Sequence, residues 1–534
     1  MLTPRTPPPP NYYVDNLCKL LHHTVRQYQD LLNEEELDVA GSILNLSTNA
    51  IRLFARILSR KGPVYFVNKL NYSEVRNRNN ALEEMRKAGL LSFNDEIPVE
   101  ELLTTFTKSQ ISTIFSLNES GKDKFSMISE VLEKHSATSI HTYLTEQVRW
   151  ITLCVGEVLE KYSLLFFGDR YHDLSSFVVR DLGIIRFENY DVDKSVRQFD
   201  SRSELDLLFE WSTWGSEIDE ISKRNTTQDF WEYVDKLEEI QPNRFLERLR
   251  SKLLNQIGKK CERNREYELA ITSFSLSALA PARERMARIF HKNKLFELRD
   301  EMLAHISLEP WNKEEELFAL RFPRGTPQSS QYEERVHSVD DNCLENPEQI
   351  AIKHFEQQGA NAWHFENSLP TMLFGLAYWD WIYAPIPGAF TNQFQIGPRD
   401  LYWSEFFEVR HRSCIDPLVS PQQLIAHIQA TAKAKWGITN PFVVWNVFTP
   451  QLLSSVVAAL GTVQIQALLK IFISDLRQFR SGFPDLMVLH SDGTSEFVEI
   501  KAVRDRVQRN QHLWLTELVD SELNACVLRL VSKS

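Results

Sequence analysis

The cysteines of this 534-residue chain are few and scattered. None of the six forms a C-x-x-C pair, and no Cys/His spacing of the kind that holds zinc occurs. The sequence therefore contains no recognisable zinc finger. We expect reduced thiols, mostly buried, in an intracellular protein.

Long hydrophobic runs are also lacking. The nearest approach, residues 452–473, is interrupted by Gln464, Gln466 and Lys470, whereas a membrane span needs roughly twenty apolar residues. Residues 1–10 are rich in proline and have no apolar signal core. We therefore predict a disordered N-terminal tail and no membrane segment.

An excess of positive charge is absent as well. The chain has 60 Lys and Arg against 72 Asp and Glu, a formal net charge of −12. This balance argues against a protein coated in nucleic acid, although a local basic surface remains compatible with it. With 43% hydrophobic residues, the chain has enough apolar material for about three to five domains.

Residues 11–95 predict a small helical unit similar to a winged helix. The stretch 47–62, "STNAIRLFARILSRKG", can be capped by Ser47 or Thr48, and its apolar residues recur at helical spacing. Arginines fall on a separate stripe, and a strand-like run and a second helix follow. The candidate phosphate-binding residues here are Arg52, Arg56, Arg60, Lys61 and Lys69. The alternative is a basic face that is merely solvated.

Residues 96–136 read as two short helices joined by a polar loop containing Gly121, Lys122 and Lys124. This pattern is similar to the SAP module, a two-helix DNA-binding unit. An ordinary helical hairpin explains the pattern equally well.

Residues 137–322 are predicted to be helical and contain a partial repeat. "NREYEL" at 264–269 recurs as "NKLFEL" at 293–298, with an aromatic residue and a leucine at the same offsets. Such a spacing predicts stacked helical hairpins resembling tetratricopeptide repeats, which usually form scaffolds or binding surfaces. Residues 323–345 are polar and are interpreted as a linker, so the C-terminal domain spans 346–534.

The C-terminal domain contains the candidate catalytic and metal-binding residues. "FPDLMVL" and "SEFVEIKAV" are strand-like, and the "SDG" between them is typical of a hairpin turn. Glu499 and Lys501 are two residues apart and so leave the same face of a strand, where Asp485 of the partner strand can meet them. Two carboxylates and one ammonium on one apolar face are costly to bury unless a divalent cation joins them. The pattern therefore favours Mg²⁺ or Mn²⁺.

Two further polar residues flank this hairpin in the sequence. Glu366 lies just before an apolar helix beginning near Pro370, and it is either a third ligand or an acid that favours the helix's positive end. Gln511, on a predicted amphipathic helix after the hairpin, points either at the site or at solvent.

These residues carry a resemblance. Pro484-Asp485, Glu499-x-Lys501, Glu366 on a preceding helix and Gln511 on the following one resemble the PD-(D/E)xK nuclease fold in its virus-type replication-repair form. Segments such as "RQFRSGFPDLMV" and "LPTMLFGLAYWDWIY" are similar to the Fanconi-anaemia-associated nuclease family, as is the upstream order of modules. The resemblance implies a multidomain, mainly α-helical protein with winged-helix-like and SAP-like DNA-binding modules, a TPR-like region and a C-terminal α/β nuclease domain.

By this resemblance, Glu366, Asp485 and Glu499 would hold one or two Mg²⁺ or Mn²⁺ ions, with the backbone carbonyl of Ile500 as a further ligand. Lys501 would orient the attacking water or neutralise the phosphorane, and Gln511 would position water or the backbone. The family implies cutting of DNA beside a 5′ flap, 5′-to-3′ exonuclease action and interstrand crosslink repair. Because such a hairpin contacts phosphates and reads no sequence, the basic residues of 11–136 would hold the duplex.

Two departures from the family pattern stand out. The chain has no N-terminal finger like the ubiquitin-binding one of animal members, which favours a bacterial form without an evident ubiquitin reader. Ala502-Val503 follows the catalytic lysine where the family usually has Gly-Pro. We expect a cytoplasmic, nucleoid-associated protein in a bacterium, or a nuclear one in a eukaryote.

Two alternatives stay open. One is a non-catalytic scaffold for DNA junctions with a degenerate nuclease fold. The other is a restriction-like or Holliday-junction-resolving enzyme, which generally works as a symmetric dimer, whereas the modules here would hold an asymmetric flap as a monomer.

Overall fold

The computed structural model describes residues 11–60, 62, 64–118, 120–168, 185–223, 229–240, 242–322, 332–339, 346–502 and 504–532. The predicted disordered tail, residues 1–10, lies outside these ranges. The chain divides into two compact units, Met1–Ile185 with Asp200–Arg202, and Arg186–Phe199 with Ser203–Ser534.

The first unit is built of short helices around a small sheet. Its helices are α1 (Tyr12–Tyr28), α2 (Glu34–Leu44), α3 (Thr48–Leu58), α4 (Arg78–Lys87), α5 (Val99–Thr104), α6 (Lys108–Phe115), α7 (Lys124–Lys134), α8 (Ala137–Gln147) and α9 (Gly156–Phe167). Its strands are β1 (Tyr65–Phe66), β2 (Leu91–Phe93) and β3 (Trp150–Leu153). Ser47 caps α3, as predicted, by accepting a hydrogen bond from the N–H of Ala50.

Strand β3 corrects the predicted domain boundaries. It was expected to lie in a purely helical region, but it pairs antiparallel with both β1 and β2 and forms the centre of the sheet. The 96–136 segment contains three helices, α5 to α7, rather than two, because a capping box between Thr107 and Gln110 starts an additional helix at Lys108. Its apolar residues share one core with Phe66 and Trp150, so the segment packs into the N-terminal unit.

The helical part of the second unit is formed by α10 (Arg202–Lys223), α11 (Phe230–Glu238), α12 (Arg244–Asn264), α13 (Tyr267–Ser275), α14 (Ala282–Lys292), α15 (Phe296–Leu308) and α16 (Lys313–Arg321). The sequence repeat marks equivalent turns: α13 begins at Tyr267 and α15 at Phe296. The residues before them, Arg265 and Lys294, both adopt left-handed conformations with φ of 67° and 61°. The repeat therefore coincides with two consecutive helix pairs, α12/α13 and α14/α15, whose members contact each other; their likeness to tetratricopeptide repeats stays a prediction.

The C-terminal part of this unit is an α/β domain, as predicted. Its helices are α17 (Pro347–Gln357), α18 (Ser368–Ala377), α19 (Trp379–Ile382), α20 (Phe406–Arg410), α21 (Pro421–Lys435), α22 (Pro450–Ser474) and α23 (Arg509–Asp520). Its strands are β4 (Glu333–Val339), β5 (Asn361–His364), β6 (Leu486–Leu489), β7 (Ser495–Ala502) and β8 (Ala525–Ser532), in the order β4-β8-β7-β6-β5. The β4/β8 and β7/β8 pairs are parallel, and the β5/β6 and β6/β7 pairs are antiparallel.

The interpretation of 323–345 as a linker is wrong for residues 333–339, which form strand β4. This strand is polar and largely exposed, so hydrophobic patterning gave no signal for it. It forms because its main-chain groups pair with β8 along the sheet edge. The rest of the predicted linker, apart from Tyr332, lies outside the described residues.

Helix α22 covers the apolar run considered above as a membrane span. By length and composition it is the one helix among the described residues that could cross a membrane, which by itself is weak support for a span. Its apolar residues pack with α18 and α21 in the main core of the domain, and Gly461, with φ of 68°, interrupts its helical geometry. This packing accounts for its hydrophobicity.

Candidate active site

The predicted hairpin is confirmed and forms the centre of the site. Strands β6 and β7 pair antiparallel with Leu486 opposite Val498, so β7 extends beyond the start of β6. Asp485 immediately precedes β6 and lies beside this extension. The hairpin turn is closed by Asp492, whose carboxylate accepts hydrogen bonds from Thr494.

Asp485 is held by the main chain of β7. Its Oδ2 accepts a hydrogen bond from the N–H of Ile500 at 2.8 Å. Burial raises the pKa of this carboxyl above its ordinary value and the charge of Glu348 raises it too, whereas the Ile500 bond and the charge of Lys501 oppose the shift. Because N–H and C=O of one strand residue are on the same edge, the Ile500 carbonyl also belongs to the Asp485 side of β7.

Glu499 and Lys501 lie together, as their spacing predicted. Lys501 Nζ is 2.8 Å from Glu499 Oε1, and both side chains are buried. Oε1 is thus paired with this ammonium, whereas Oε2 has no hydrogen-bond donor among the described residues. Burial, and then the charge of Asp485, raise the pKa of Glu499 to about 7.

Glu366 reaches the site through the main chain. The N–H groups of Phe365 and Glu366 both donate to the backbone carbonyl of Asp485 at 3.1 Å. Glu366 is not on the preceding helix, as the resemblance implied, but two residues before α18, in a left-handed conformation with φ of 46°. β5 is an edge strand of the sheet, and the chain turns after its last residue to enter α18.

Three residues near these acids were not identified from the sequence. Asn367 donates to Glu366 Oε1 at 3.2 Å and accepts from the N–H of Phe483 at 3.1 Å. Glu348 of α17 and His364 of β5 lie near enough to shift the pKa of Asp485. The "HFEN" stretch was the one signal available for His364 and Asn367, and nothing distinguishes Glu348 in the sequence from other acids in a helix's first turn.

Gln511 has a structural role in the present geometry. Its Oε1 accepts a hydrogen bond from the N–H of Gln508 at 2.9 Å, which closes a capping box at the start of α23. It thus positions the backbone at the start of α23; contact with water or substrate stays a prediction.

The donor set fits a divalent cation, although the ligands are not gathered into a finished cage. Among the described residues, no group of three His, Cys, Asp or Glu side chains is arranged as a metal site. Yet Glu499 is buried, its Oε2 has no hydrogen-bond donor among the described residues, and the charge of Asp485 acts on it. Oxygen donors of this kind suit Mg²⁺ or Mn²⁺, and the charge of Glu366 also reaches Glu499.

The predicted arginine stripe is largely engaged within the protein. Arg56 donates to Glu74 at 2.7 and 2.9 Å and lies 4.0 Å from the centre of the Tyr13 ring. Arg52 donates to the backbone carbonyl of Glu74, and Arg60 to that of Lys69. Arg56 is therefore tied to a carboxylate rather than displayed as a free cation.

The predicted lysines differ in their surroundings. Lys69 is exposed and lies over the ring of Phe66. Lys122 is paired with Glu130 at 2.5 Å, and Lys124, at the first turn of α7 rather than in the loop, donates to the carbonyl of Thr104. Lys61 lies outside the described residues.

Two domain families match this chain. The VRR-NUC domain matches residues 419–531, which include the hairpin with Asp485, Glu499 and Lys501. The FAN1 HTH domain matches residues 11–92, close to the predicted winged-helix-like unit.

Two relatives and one solved structure are similar to this chain over nearly its whole length. The Fanconi-associated nuclease 1 homolog of Pseudomonas aeruginosa is 26% identical, over 97% of this chain and 96% of its own. The Arabidopsis thaliana homolog is 24% identical, over 98% of this chain and 67% of its own. The crystal structure of paFAN1 bound to 5′-flap DNA with a gap has a TM-score of 0.82 at 24% identity, over 99% of this chain and 100% of that one, and shows the common fold.

The family's two domains thus occur at opposite ends of this chain in the expected order, and the similarity to the Pseudomonas relative runs from end to end. The segment matched by the VRR-NUC domain contains Asp485, Glu499 and Lys501. The chain is therefore a nuclease with a C-terminal VRR-NUC domain, and it is similar along nearly its whole length to the Fanconi-associated nuclease 1 homologs of Pseudomonas aeruginosa and Arabidopsis thaliana.

Proposed function

We propose that this nuclease is a divalent-metal-dependent enzyme that cuts DNA beside a 5′ flap, degrades DNA in the 5′-to-3′ direction and acts in interstrand crosslink repair. The observation that carries metal dependence is the buried Glu499 carboxylate, whose Oε2 lacks a hydrogen-bond donor and whose charge interacts unfavourably with that of Asp485. Flap DNA as substrate is supported by the related paFAN1, whose crystal structure contains a 5′-flap DNA.

Asp485, Glu499 and Glu366 would hold the ions, with the Ile500 carbonyl as a further ligand. When bound, Mg²⁺ or Mn²⁺ supplies a Lewis acid for the phosphate and lowers the pKa of water. The protein's own contribution is alignment, because Ile500 fixes one oxygen of Asp485 while its second oxygen remains available. Glu366 can complete the set by side-chain rotation, since its backbone is already bonded to that of Asp485.

Lys501 contributes a fixed positive charge at this face of the sheet. It is buried and 2.8 Å from Glu499, so its ammonium is held close to the carboxylates without a flexible exposed stem. A cation held in this way can stabilise charge on the phosphorane or orient the attacking water. Its ion pair with Glu499 also limits the carboxylate repulsion in the metal-free protein.

DNA outside the reacting strand would be held by the N-terminal unit. The protein would act on one flap as a monomer. Lys69 is exposed, whereas Arg52, Arg56 and Arg60 make internal contacts that phosphate would have to replace or share. Lys122 and Lys124 are similarly engaged with Glu130 and Thr104. We therefore assign Lys69 the first place among these candidates for phosphate contact.

The test is cleavage of an end-labelled 5′-flap duplex and a Holliday junction with Mg²⁺, Mn²⁺ or EDTA. Asp485→Ala should abolish cutting near the flap base while leaving DNA affinity within a few fold. The matched control is Asp520→Ala, which removes an exposed carboxylate from the same domain and should cut normally.

Other outcomes would replace the proposal. Tight flap binding without cutting in either metal would favour the scaffold, and symmetric cutting of the four-way junction would favour a resolvase. Full activity in EDTA, or in Asp485→Ala, would contradict the metal-dependent carboxylate site.

A further inference from the structure

A cavity of about 380 Å³ opens beside Glu366 and has two chemically different sides. We call Val444 and Val447 its apolar side, and Arg480 with Tyr402 its basic side; all four line the cavity. Because Glu366 also lines this space, whatever fills it lies next to the Glu366 carboxylate.

The apolar side is exposed where burial would be the norm. Val444 and Val447 are 46% and 37% exposed, whereas the neighbouring Phe442 and Phe448 are buried. A hydrogen bond from the N–H of Val447 to the carbonyl of Val444 turns the chain so that both belong to one short turn. The two valine side chains therefore form a small exposed apolar surface.

The basic side is rigidly supported. Arg480 is exposed and makes no ion pair with an acid in the part of the chain that the structure describes. The residues flanking it are anchored, since Phe479 and Phe483 are buried with their rings each 4.9 Å from that of Trp514. The Trp514 indole N–H also donates to the carbonyl of Phe479.

Tyr402 limits the freedom of the Arg480 guanidinium, which lies 5.7 Å from the centre of its ring. An arginine packed against an aromatic ring loses less freedom on binding a phosphate than one on a free stem. The cavity therefore combines a placed cation with an apolar surface, at one edge of the catalytic carboxylates.

We propose that this cavity is a nucleotide subsite, in which Arg480 binds a non-scissile phosphate and the Val444/Val447 turn packs against the base of the nucleotide adjoining the cut. The inference rests on the proposed nuclease function and deepens it. A single nucleotide has both required parts, an anionic phosphate and a flat base. A base in a duplex is stacked and paired, so the subsite favours an unpaired nucleotide next to the scissile phosphate.

The first experiment is a double-mutant cycle between protein and DNA. Abasic residues are placed singly at positions around the cut in a 5′-flap substrate, and kcat/KM is measured for the wild type and for Val444→Ser/Val447→Ser. At one position, loss of the base should cost the wild type about tenfold, the scale of a lost base contact. Val444→Ser/Val447→Ser should have a lower kcat/KM than the wild type on intact DNA, and an abasic residue at that position should not lower it further.

A second experiment tests Arg480 with a matched control. Arg480→Ala should raise KM about tenfold and reduce by about one the slope of log affinity against log salt, because one phosphate contact is lost. Arg412→Ala removes another exposed arginine that lies outside this cavity and should behave as the wild type. The subsite would be overturned if Arg480→Ala and Arg412→Ala gave the same KM and the same salt dependence. It would also be overturned if, in the double-mutant cycle, the losses of kcat/KM caused by the valine substitutions and by base removal multiplied.

Binding separates failure of the subsite from failure of the proposed function. With 2-aminopurine at the sensitive position and EDTA present, the wild type should change the probe's fluorescence on binding, and Val444→Ser/Val447→Ser should not. If the wild type does not cut flaps, the proposed function fails, and 2-aminopurine placed at each junction position in turn still decides whether a base enters the cavity. If it cuts and no position responds, the subsite alone is wrong.

Discussion

The backbone N–H of Glu366 donates to the backbone carbonyl of Asp485 at 3.1 Å. The two acids are thus linked through the main chain, independently of their side chains. Asp485 is in turn bonded through Oδ2 to the N–H of Ile500 on β7. Removing the Glu366 carboxylate should therefore leave Asp485 in place, whereas removing the Asp485 carboxylate also removes its bond to Ile500.

The metal-free protein should lose stability as the pH rises because of Glu499. Its folded pKa is about 7, above the ordinary value of 4.5. Below pH 4.5 the group is protonated in both states; between 4.5 and 7 the unfolded state releases the proton first, so the free energy of unfolding falls by up to about 3 kcal/mol. Thermal unfolding in EDTA at pH 5 and pH 8 should show this loss in the wild type and a smaller one in Glu499→Gln.

The same variant offers a check through metal binding. Mg²⁺ at pH 8 should raise the melting temperature of the wild type, since a cation that binds only the folded state stabilises it. Glu499→Gln should respond much less, and Asp520→Asn should respond as the wild type. An undiminished response in Glu499→Gln would contradict its assignment as a ligand.

Asn367→Ala should weaken metal binding without removing a ligand. Asn367 joins the Glu366 carboxylate to the N–H of Phe483, which lies two residues before Asp485. Losing such a positioning residue typically costs about 10- to 100-fold in metal affinity. The measurement is the Mn²⁺ concentration that gives half-maximal cutting; an unchanged value with reduced maximal rate would contradict this role and point to substrate contact.

Arg56→Ala should destabilise the N-terminal unit. The side chain is bonded to Glu74 and packs on Tyr13, so about 1 kcal/mol of unfolding free energy is expected to be lost. Glu74→Ala should cost a similar amount, and the double variant less than the sum of the two. Lys69→Ala should instead leave the melting temperature unchanged and weaken flap binding. If Arg56→Ala weakened flap binding without changing the melting temperature, and Lys69→Ala did not weaken it, Arg56 rather than Lys69 would be the phosphate contact.

Local spacing predicted those parts of the site that depend on one hairpin. Glu499 and Lys501 follow from strand alternation, and the turn chemistry fixes the pairing that brings Asp485 to them. Glu348 and Asn367 could not be found in this way, because their relation to Asp485 depends on how α17 and the turn before α18 pack on the sheet.

Partners distant in sequence limited the prediction elsewhere as well. The Arg56 stripe is visible in the sequence, but the carboxylate that engages it, Glu74, lies in a later loop. Strand β4 has no apolar alternation, and its existence depends on the edge that β8 offers. Helical repeats were easier, because Arg265 and Lys294 repeat a turn within local sequence.

Gly482→Ala should disturb the active site from three residues away. Gly482 has φ of 91°, and an added Cβ would lie 2.6 Å from the backbone carbon of Asn510 in α23. A Cβ so close to backbone forces the segment leading to Asp485, or the start of α23, to move. We expect a loss of about 1–3 kcal/mol in stability and reduced metal affinity.

The control for this prediction is Gly493→Ala in the hairpin turn. Gly493 has a similar φ of 86°, but no atom lies within 4 Å of its added Cβ. It should therefore suffer the backbone strain alone, about 1 kcal/mol, and keep its metal affinity. Melting temperature and Mn²⁺ titration of both variants decide the matter: if they lose metal affinity equally, strain in the hairpin rather than the contact with Asn510 positions Asp485.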